Sequence, residues 1–309
     1  MENQKKIVVT ITTFFMILGI ATFVIALVRS GKSSSTSNDT SKPNQSIANR
    51  NEENSTETVK LVFIHHSTGE NWLSDENGRL GIELRDAGYF VSDTNYGWGP
   101  DSIGDRTDIG NWWEWFRGPQ SQTPLQALYA ESGQNSQYSR LSSDPGGENT
   151  IVMFKSCFPN SYLGGSTSES VPSISDNPLV GQSADSEYHT VANAKGIYID
   201  LLKYFETEQD KLFIVVTAPP LGRNNSDSKH SSNARAFNNW LKNDWITDYE
   251  YDNVAVFDFF DILTANGESN YLEYYDDEYD DHPSMEGNRI ATEEFILFLN
   301  EAYADFEGK

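Results

Sequence analysis

The sequence predicts an α/β domain over residues 59–309, because apolar strand candidates alternate there with amphipathic helix candidates. The strand candidates are continuous apolar runs rather than alternating ones, which is typical of strands covered on both faces. The length of this stretch is usual for one such domain. We therefore expect a mostly parallel sheet between two layers of helices, a three-layer α/β/α sandwich of the flavodoxin-like type.

Five strands are expected, and the first and third end at an abrupt change from apolar to polar residues. In parallel sheets of this kind, ligands bind beyond the carboxyl ends of the strands. The polar residues that follow the strands are therefore the first candidates for chemistry. The predicted strands are 60–65, 89–93, 150–154, 212–217 and 254–259.

Four segments have apolar residues at helical spacing. Gly88 directly follows the first of them and is a suitable C-terminal stop. The stretch 163–186 is rich in Gly, Ser and Pro and predicts a long loop. The predicted helices are 80–87, 192–206, 233–243 and 284–302.

The N-terminal part of the chain does not fit a globular domain. Residues 7–28 carry no charge and are long enough to cross a bilayer as one helix, so we expect an uncleaved signal anchor after a short cytoplasmic tail, 1–6. Residues 29–58 are polar and rich in Ser and Asn, which predicts a disordered linker. The sequence therefore predicts a single-pass membrane protein with its folded domain outside the cell.

The formal net charge of −24 argues against nucleic acid as a partner. A single cysteine, Cys157, excludes an internal disulfide framework. Because Cys157 follows an apolar strand, we expect a packed thiol rather than a reactive one.

Ser67 follows the first predicted strand, at a strand-to-helix turn. A serine in this position lies where helix N-terminal amides can stabilise an oxyanion. The same position also suits a helix N-cap, since Glu70 stands three residues on as in a capping box. Both interpretations stay open on position alone.

His282 is the histidine best placed to act as a base. It stands in "DDHPSMEGN" before the last predicted helix, with Asp280 and Asp281 immediately upstream. A neighbouring carboxylate holds an imidazole in one tautomer and makes it a stronger base. An acidic surface loop leading into a helix is the alternative.

The other four histidines give weaker signals. His65 and His66 adjoin Ser67, but neighbours on a strand point to opposite faces, so neither is an obvious base. His189 and His230 lie among polar residues, and we expect both to be solvated in loops.

Three further residues are candidate oxyanion donors. Asn160, in "FKSCFPNS", offers a side-chain amide, and Gly97 and Gly99, in "NYGWG", offer backbone N–H groups. Turn formation is the commoner use of all three residue types in loops.

This order of residues resembles the SGNH (GDSL-like) hydrolase family. "FIHHSTG" stands where that family has its Gly-Asp-Ser block, "NYGWG" where it has its second-block glycine, and "SCFPNS" where it has its oxyanion asparagine. "DDHPSMEGN" resembles the family's last block, which runs from His into Pro and Gly before a final helix. Two positions depart from the pattern: His66 replaces an aspartate, and Tyr279 stands three residues before His282, where the family has its acid.

The resemblance implies a serine esterase that needs no cofactor. Ser67 would be the nucleophile, His282 the base, and Asp280 the acid nearest in spacing, with Asp281 and Glu278 as substitutes. Gly97 or Gly99 and Asn160 would hold the oxyanion with the Ser67 amide. The partners would be a small-molecule or glycan ester and, through the N-terminal helix, the membrane.

Aromatic residues bear on the substrate. Trp98 and Trp112, part of a Trp-rich stretch, are candidates for a sugar-stacking surface together with His66, although core packing is the commoner use of such rings. If the surface exists, an acylated glycan is the expected substrate.

Two other functional classes stay open. A divalent metal could bind His65, His66 and the acidic run 276–281, giving a metal-dependent hydrolase. The departures at His66 and Tyr279 also fit a catalytically inactive, membrane-tethered binding module.

Overall fold

The computed structural model describes residues 58–134 and 136–308. The predicted cytoplasmic tail and membrane anchor, and the linker as far as residue 57, lie outside the described residues. None of the helices within the described ranges combines the length and apolar character that crossing a membrane requires. The domain boundaries and membrane anchoring therefore stay predictions.

The described residues form a parallel sheet with the strand order β2-β1-β3-β4-β5. This order belongs to doubly wound sheets, which place ligands at the carboxyl edge. The predicted parallel α/β architecture is confirmed, and each predicted strand lies within two residues of the observed one. The strands are β1 (Lys60–Ile64), β2 (Phe90–Thr94), β3 (Ile151–Lys155), β4 (Leu212–Val216) and β5 (Val254–Phe257).

The apolar spacing predicts three long helices and one of seven residues, and it misses four other short helices among the described residues. Helices of five to eight residues complete too few turns to show a period. The predicted helices correspond to α2 (Leu80–Asp86), α5 (Val191–Phe205), α6 (Ser228–Asn243) and α8 (Met285–Glu307). The remaining ones are α1 (Ser67–Leu73), α3 (Trp112–Phe116), α4 (Gln122–Tyr129) and α7 (Phe259–Leu263).

The sheet separates two apolar cores, because successive side chains of a strand point to opposite faces. In β1, Val62 and Ile64 pack under α3 to α6, whereas Leu61 and Phe63 pack under α1, α2, α7 and α8. Burying one such side chain contributes about 1.5–3 kcal/mol. The apolar side chains of β1 are thus buried on both faces because helices cover both sides of the sheet.

A cluster of buried polar side chains holds the backbone in place just after β1. His65 Nε2 lies 3.1 Å from Asp93 Oδ2, and its Nδ1 lies 3.1 Å from the carbonyl oxygen of His66. Both ring nitrogens thus lie next to oxygen acceptors. Tyr138 donates its hydroxyl to the other Asp93 oxygen at 3.1 Å. Only glycine fits at Gly69, because a Cβ there would lie 2.4 Å from His65 Cβ.

The last helix packs against the first. The Trp72 indole N–H of α1 donates to Thr292 Oγ1 of α8 at 2.9 Å, and Trp72 stacks on Phe259 with ring centroids 4.6 Å apart. The segment that follows β1 and the segment that leads into α8 are therefore held side by side.

Candidate active site

Ser67 is the first residue of α1 and lies just beyond the carboxyl end of β1. The N-cap residue is His66, in an extended conformation, and no side chain caps the helix. The N-cap interpretation of Ser67 is therefore wrong. Its hydroxyl oxygen instead lies 3.0 Å from Nε2 of His282, which is 215 residues away along the chain.

His282 has a carboxylate behind its ring. Nδ1 lies 2.6 Å from Asp280 Oδ1, and the same oxygen accepts the backbone N–H of His282 at 3.0 Å. With Nδ1–H donating to Asp280, the lone pair of Nε2 faces Ser67, which is the protonation state of a general base. These hydrogen bonds from His282 lower the pKa of Asp280, so its carboxylate stays ionised.

Of the three candidate acids, the structure brings only Asp280 to His282. Asp281 is buried and turns away, accepting the backbone N–H of Gly222 at 2.7 Å and the Asn225 amide at 3.1 Å. Asp281 therefore shapes the loop after β4, beside the Ser67–His282 pair.

Two of the predicted oxyanion donors, Gly97 and Asn160, are hydrogen-bonded to other groups. Gly97 N–H donates to Asp105 Oδ1 at 2.7 Å, and the Asn160 side-chain amide donates to Asp108 Oδ1 at 2.6 Å. Gly99 has a φ of 77°, a left-handed conformation that suits glycine, at the start of a 3-10 turn. Neither Gly97 nor Asn160 thus directs a free donor at Ser67.

Tyr96 is a site residue that the sequence analysis missed. Its ring stacks on His66, the residue before Ser67, with centroids 3.8 Å apart, and its hydroxyl is near enough to Ser67 for that residue to act on its pKa. The residue as a whole is 61% exposed, but desolvation at the hydroxyl raises its pKa, so the phenol stays neutral and can donate. The sequence signal that could have identified Tyr96 is its position shortly after β2, at the carboxyl edge of the sheet.

Cys157 lies beside the nucleophile. The thiol is buried, with its sulfur 3.1 Å from Thr68 Oγ1 and 3.7 Å from Ser67 Oγ. Burial acts to raise the pKa of this thiol, but the fully buried Lys155 and the Thr68 hydrogen bonds outweigh that effect and lower it. The thiol is packed, as the sequence predicted, and it also forms one wall around Ser67.

The three predicted substrate-binding side chains are buried. His66 accepts from Thr107 Oγ1 at 3.0 Å and donates Nε2–H to the Gly104 carbonyl at 2.6 Å, while desolvation lowers its pKa and keeps it neutral. Trp112 is fully buried, with its N–H donating to Ser156 Oγ at 2.9 Å. The structure thus leaves neither ring face of Trp112 for a sugar.

Trp98 is also an interior ring. It is 7% exposed, donates its N–H to Glu131 Oε2 at 2.6 Å and stacks on Trp115 with centroids 5.8 Å apart. The predicted stacking surface on His66, Trp98 and Trp112 is therefore corrected: aromatic rings that are close in sequence here fill the core under α3.

The expectation that His189 and His230 are solvated is wrong, and only His189 lies in a loop as predicted. His189 is 3% exposed, and its Nδ1–H donates to the Tyr162 carbonyl at 3.1 Å. His230 lies in the first turn of α6, bonds Asp227 Oδ2 through Nδ1 at 2.9 Å and stacks on Tyr162. The polar residues next to each histidine in the sequence do not show that a residue distant along the chain, Tyr162, lies against the ring.

Within the described residues, the structure does not provide a set of ligands for the predicted metal site. The rings of His65 and His66 bind different partners, and the described residues contain no group of three or more His, Cys, Asp or Glu side chains suited to holding an ion.

Neither a protein-family model nor a curated protein sequence matches the chain. Solved structures do match. One is a carbohydrate esterase whose active site "displays divergent catalytic and non-catalytic binding functions", with a TM-score of 0.36 and 14% identity over 81% of this chain and 67% of that one. Another is CetZ2 from Haloferax volcanii in a GTPγS-bound protofilament, with a TM-score of 0.34 and 14% identity over 80% of this chain and 59% of that one. Similarities of this size assign no activity, so the site has to be interpreted from its own geometry.

Proposed function

We propose that the chain is a serine ester hydrolase of the SGNH type. The observation that carries the proposal is the continuous chain of hydrogen bonds from Ser67 Oγ through the His282 ring to Asp280. A hydroxyl, a base and a carboxylate in this order form the arrangement that activates a serine for acyl transfer.

The reaction follows from the positions of these groups. His282 Nε2 takes the proton of Ser67 as Oγ bonds to the acyl carbon, and Asp280 stabilises the imidazolium that forms. The imidazolium then gives that proton to the departing alcohol oxygen. Water, deprotonated by His282 in turn, releases the acid and restores Ser67.

The negative oxygen of the intermediate needs donors near Ser67. We propose the backbone N–H of Ser67 and the hydroxyl of Tyr96, whose ring stacks on the neighbouring His66. Gly99 is the proposed glycine donor. Gly97 and Asn160 can contribute only after leaving Asp105 and Asp108.

Substitution of Ser67 tests the proposal. Ser67→Ala is expected to fold normally, to lose labelling by a fluorophosphonate probe, and to hydrolyse p-nitrophenyl acetate at least roughly a thousandfold more slowly than the parent. The matched control is Ser143→Ala, an exposed serine in the loop that leads into β3, at the edge of the sheet opposite Ser67. Equal rates for Ser67→Ala and the parent would exclude the mechanism.

A second candidate is a binding module without activity, and one observation favours it: two predicted oxyanion donors are engaged by Asp105 and Asp108. The probe separates the two functions, because an inactive module leaves Ser67 unlabelled in the parent protein as well.

We also propose, from the sequence pattern, that residues 7–28 anchor the chain in a membrane with the domain on the outer side. Protease treatment of intact cells tests this placement: the domain should be removed without lysis.

A further inference from the structure

A cleft of about 620 Å³ opens beside the Ser67–His282 pair. Phe158 connects the two, because it lines the cleft and its ring meets the His282 ring edge-on, with centroids 5.0 Å apart. Asp281, which follows the catalytic candidate Asp280, lines it as well. A group bound in the cleft would therefore be next to an ester held at Ser67.

One wall of the cleft is a fixed aromatic face. Tyr162 is 43% exposed and stacks on His230 with ring centroids 3.7 Å apart and planes 13° apart. Asp227 holds His230 in place by a hydrogen bond of 2.9 Å. A flat ring that is fixed on one side and open on the other suits the C–H face of a sugar ring.

His189 is a buried ring at the floor of the cleft. His189 lines the cleft, is 3% exposed and donates Nδ1–H to the Tyr162 carbonyl. Its Nε2 has no hydrogen-bond partner among the described residues. Because desolvation lowers the pKa of this ring, Nε2 carries a lone pair rather than a proton. Nε2 is itself sealed from solvent, so His189 gives the cleft a neutral wall and offers no hydrogen bond to a ligand.

The rim is acidic and lacks cations. Asp185 and Glu187 are exposed carboxylates on it, and none of the described residues that line the cleft is Lys or Arg. Carboxylates accept from hydroxyl groups and repel anions. An acceptor-rich, cation-free lining favours a neutral ligand with many hydroxyls over a phosphate, a sulfate or an acidic sugar.

We propose that this cleft binds the sugar ring of a neutral O-acylated carbohydrate, with the ring on Tyr162 and hydroxyls toward Asp185 and Glu187. The inference rests on the proposed esterase function and names its substrate class. The sugar is the alcohol half of the ester: Ser67 Oγ bonds to the acyl carbon, the bond from that carbon to the sugar oxygen breaks, and the His282 proton goes to the sugar oxygen.

The test compares an ester with a sugar ring and one without. Rates are measured by pH-stat titration on mono-O-acetylated methyl glucoside and on ethyl acetate. Tyr162→Ala is expected to lower kcat/KM for the glucoside roughly fivefold to tenfold and to leave that for ethyl acetate within about twofold. The matched control is Tyr251→Ala, an exposed tyrosine that precedes β5 at the opposite edge of the sheet.

Charge gives a second comparison. An O-acetylated glucuronoside should be a poorer substrate than the glucoside, because Asp185 and Glu187 repel its carboxylate. Equal loss of activity on both neutral esters in Tyr162→Ala, or a preference for the glucuronoside or for acetylcholine, would overturn the proposed ligand class.

Binding separates this inference from the esterase proposal. The Ser67→Ala protein is mixed with unacylated methyl glucoside and examined by saturation-transfer NMR, which needs no turnover. Transfer that disappears in Ser67→Ala/Tyr162→Ala supports the cleft even if no ester is hydrolysed. Absence of transfer, together with intact hydrolysis of ethyl acetate by the parent, refutes the cleft and leaves the esterase standing.

Discussion

One oxygen of Asp280 accepts two hydrogen bonds from the same residue, His282: the ring Nδ1–H at 2.6 Å and the backbone N–H at 3.0 Å. An aspartate that accepts the N–H two residues on forms a tight local turn. This turn brings the carboxylate behind the imidazole at a spacing of two residues. Tyr279, at the three-residue spacing of the family resembled, is 70% exposed and is not needed as an acid.

Asp280→Asn should lower kcat for acetate esters by roughly tenfold to a hundredfold. An amide still accepts the backbone N–H, but it no longer stabilises the imidazolium. The effect should stay below that of a buried triad acid, because the Asp280 side chain is 56% exposed and water partly replaces its charge. Steady-state kinetics measure it, with the exposed Asp277→Asn as control; an unchanged kcat would show that Ser67 and His282 act as a pair.

Tyr96→Phe should lower kcat by up to roughly a hundredfold and leave KM nearly constant, because an oxyanion donor acts in the transition state. The phenylalanine ring keeps the stacking on His66, so the loss reports the hydroxyl alone. The control is Tyr275→Phe, an exposed tyrosine outside the contacts of Ser67. A rise in KM at constant kcat would instead make Tyr96 a substrate contact.

Asp93→Ala should reduce the free energy of unfolding by about 3–5 kcal/mol, because it leaves His65 buried without its carboxylate. Both side chains are fully buried. Urea denaturation followed by circular dichroism gives the value. Asp86→Ala, which breaks an ion pair with Arg85 at the surface, should cost at most about 1 kcal/mol. Equal effects of the two substitutions would contradict the importance of the buried pair.

The folded domain should lose stability as the pH falls below neutrality. Desolvation lowers the pKa of His66 and of His189 from the ordinary value of 6.5, so the unfolded chain binds these protons first. Their contribution is full above pH 6.5, decreases as the pH falls through 6.5, and is lost below the folded pKa values. For His189, the carboxylates of Asp108 and Asp185 reduce the shift without reversing it.

Thermal unfolding between about pH 7.5 and pH 5.5 measures this loss. In His189→Gln the decrease of Tm over that interval should be smaller than in the parent, because one buried titrating ring has been removed. An identical decrease in both proteins would show that His189 does not contribute to the pH dependence.

The sequence predicts the sheet well because strands covered on both faces are rich in apolar residues, as in β4, where all five residues are apolar. Ser67 and His282 could be found because parallel strands direct their following residues to one edge, and because a carboxylate stands next to His282. Asp280 could be preferred as the acid only for its spacing, with Asp281 and Glu278 left open, because the way the loop turns leaves no sequence pattern.

The surroundings of the pair could not be predicted. Tyr96 reaches Ser67 through the path of a loop, and His189 is covered by a turn that contains Tyr162, neither of which leaves a periodic pattern. The Trp-rich stretch gave a wrong prediction for a related reason. Tryptophans occur both in protein cores and on sugar-binding surfaces, and only the burial of Trp112 in the structure distinguishes the two.

The distance along the chain between nucleophile and base has a consequence for biosynthesis. A ribosome that has completed β5 has already produced Ser67 and the whole sheet, but the base and the helix that packs on Trp72 are still to come. A nascent or truncated polypeptide that ends there would contain Ser67 but not His282, so the serine could not be activated. In the proposed esterase, hydrolysis would therefore begin only when the C-terminal segment has been translated and has docked, so that activity would indicate complete, correctly assembled molecules.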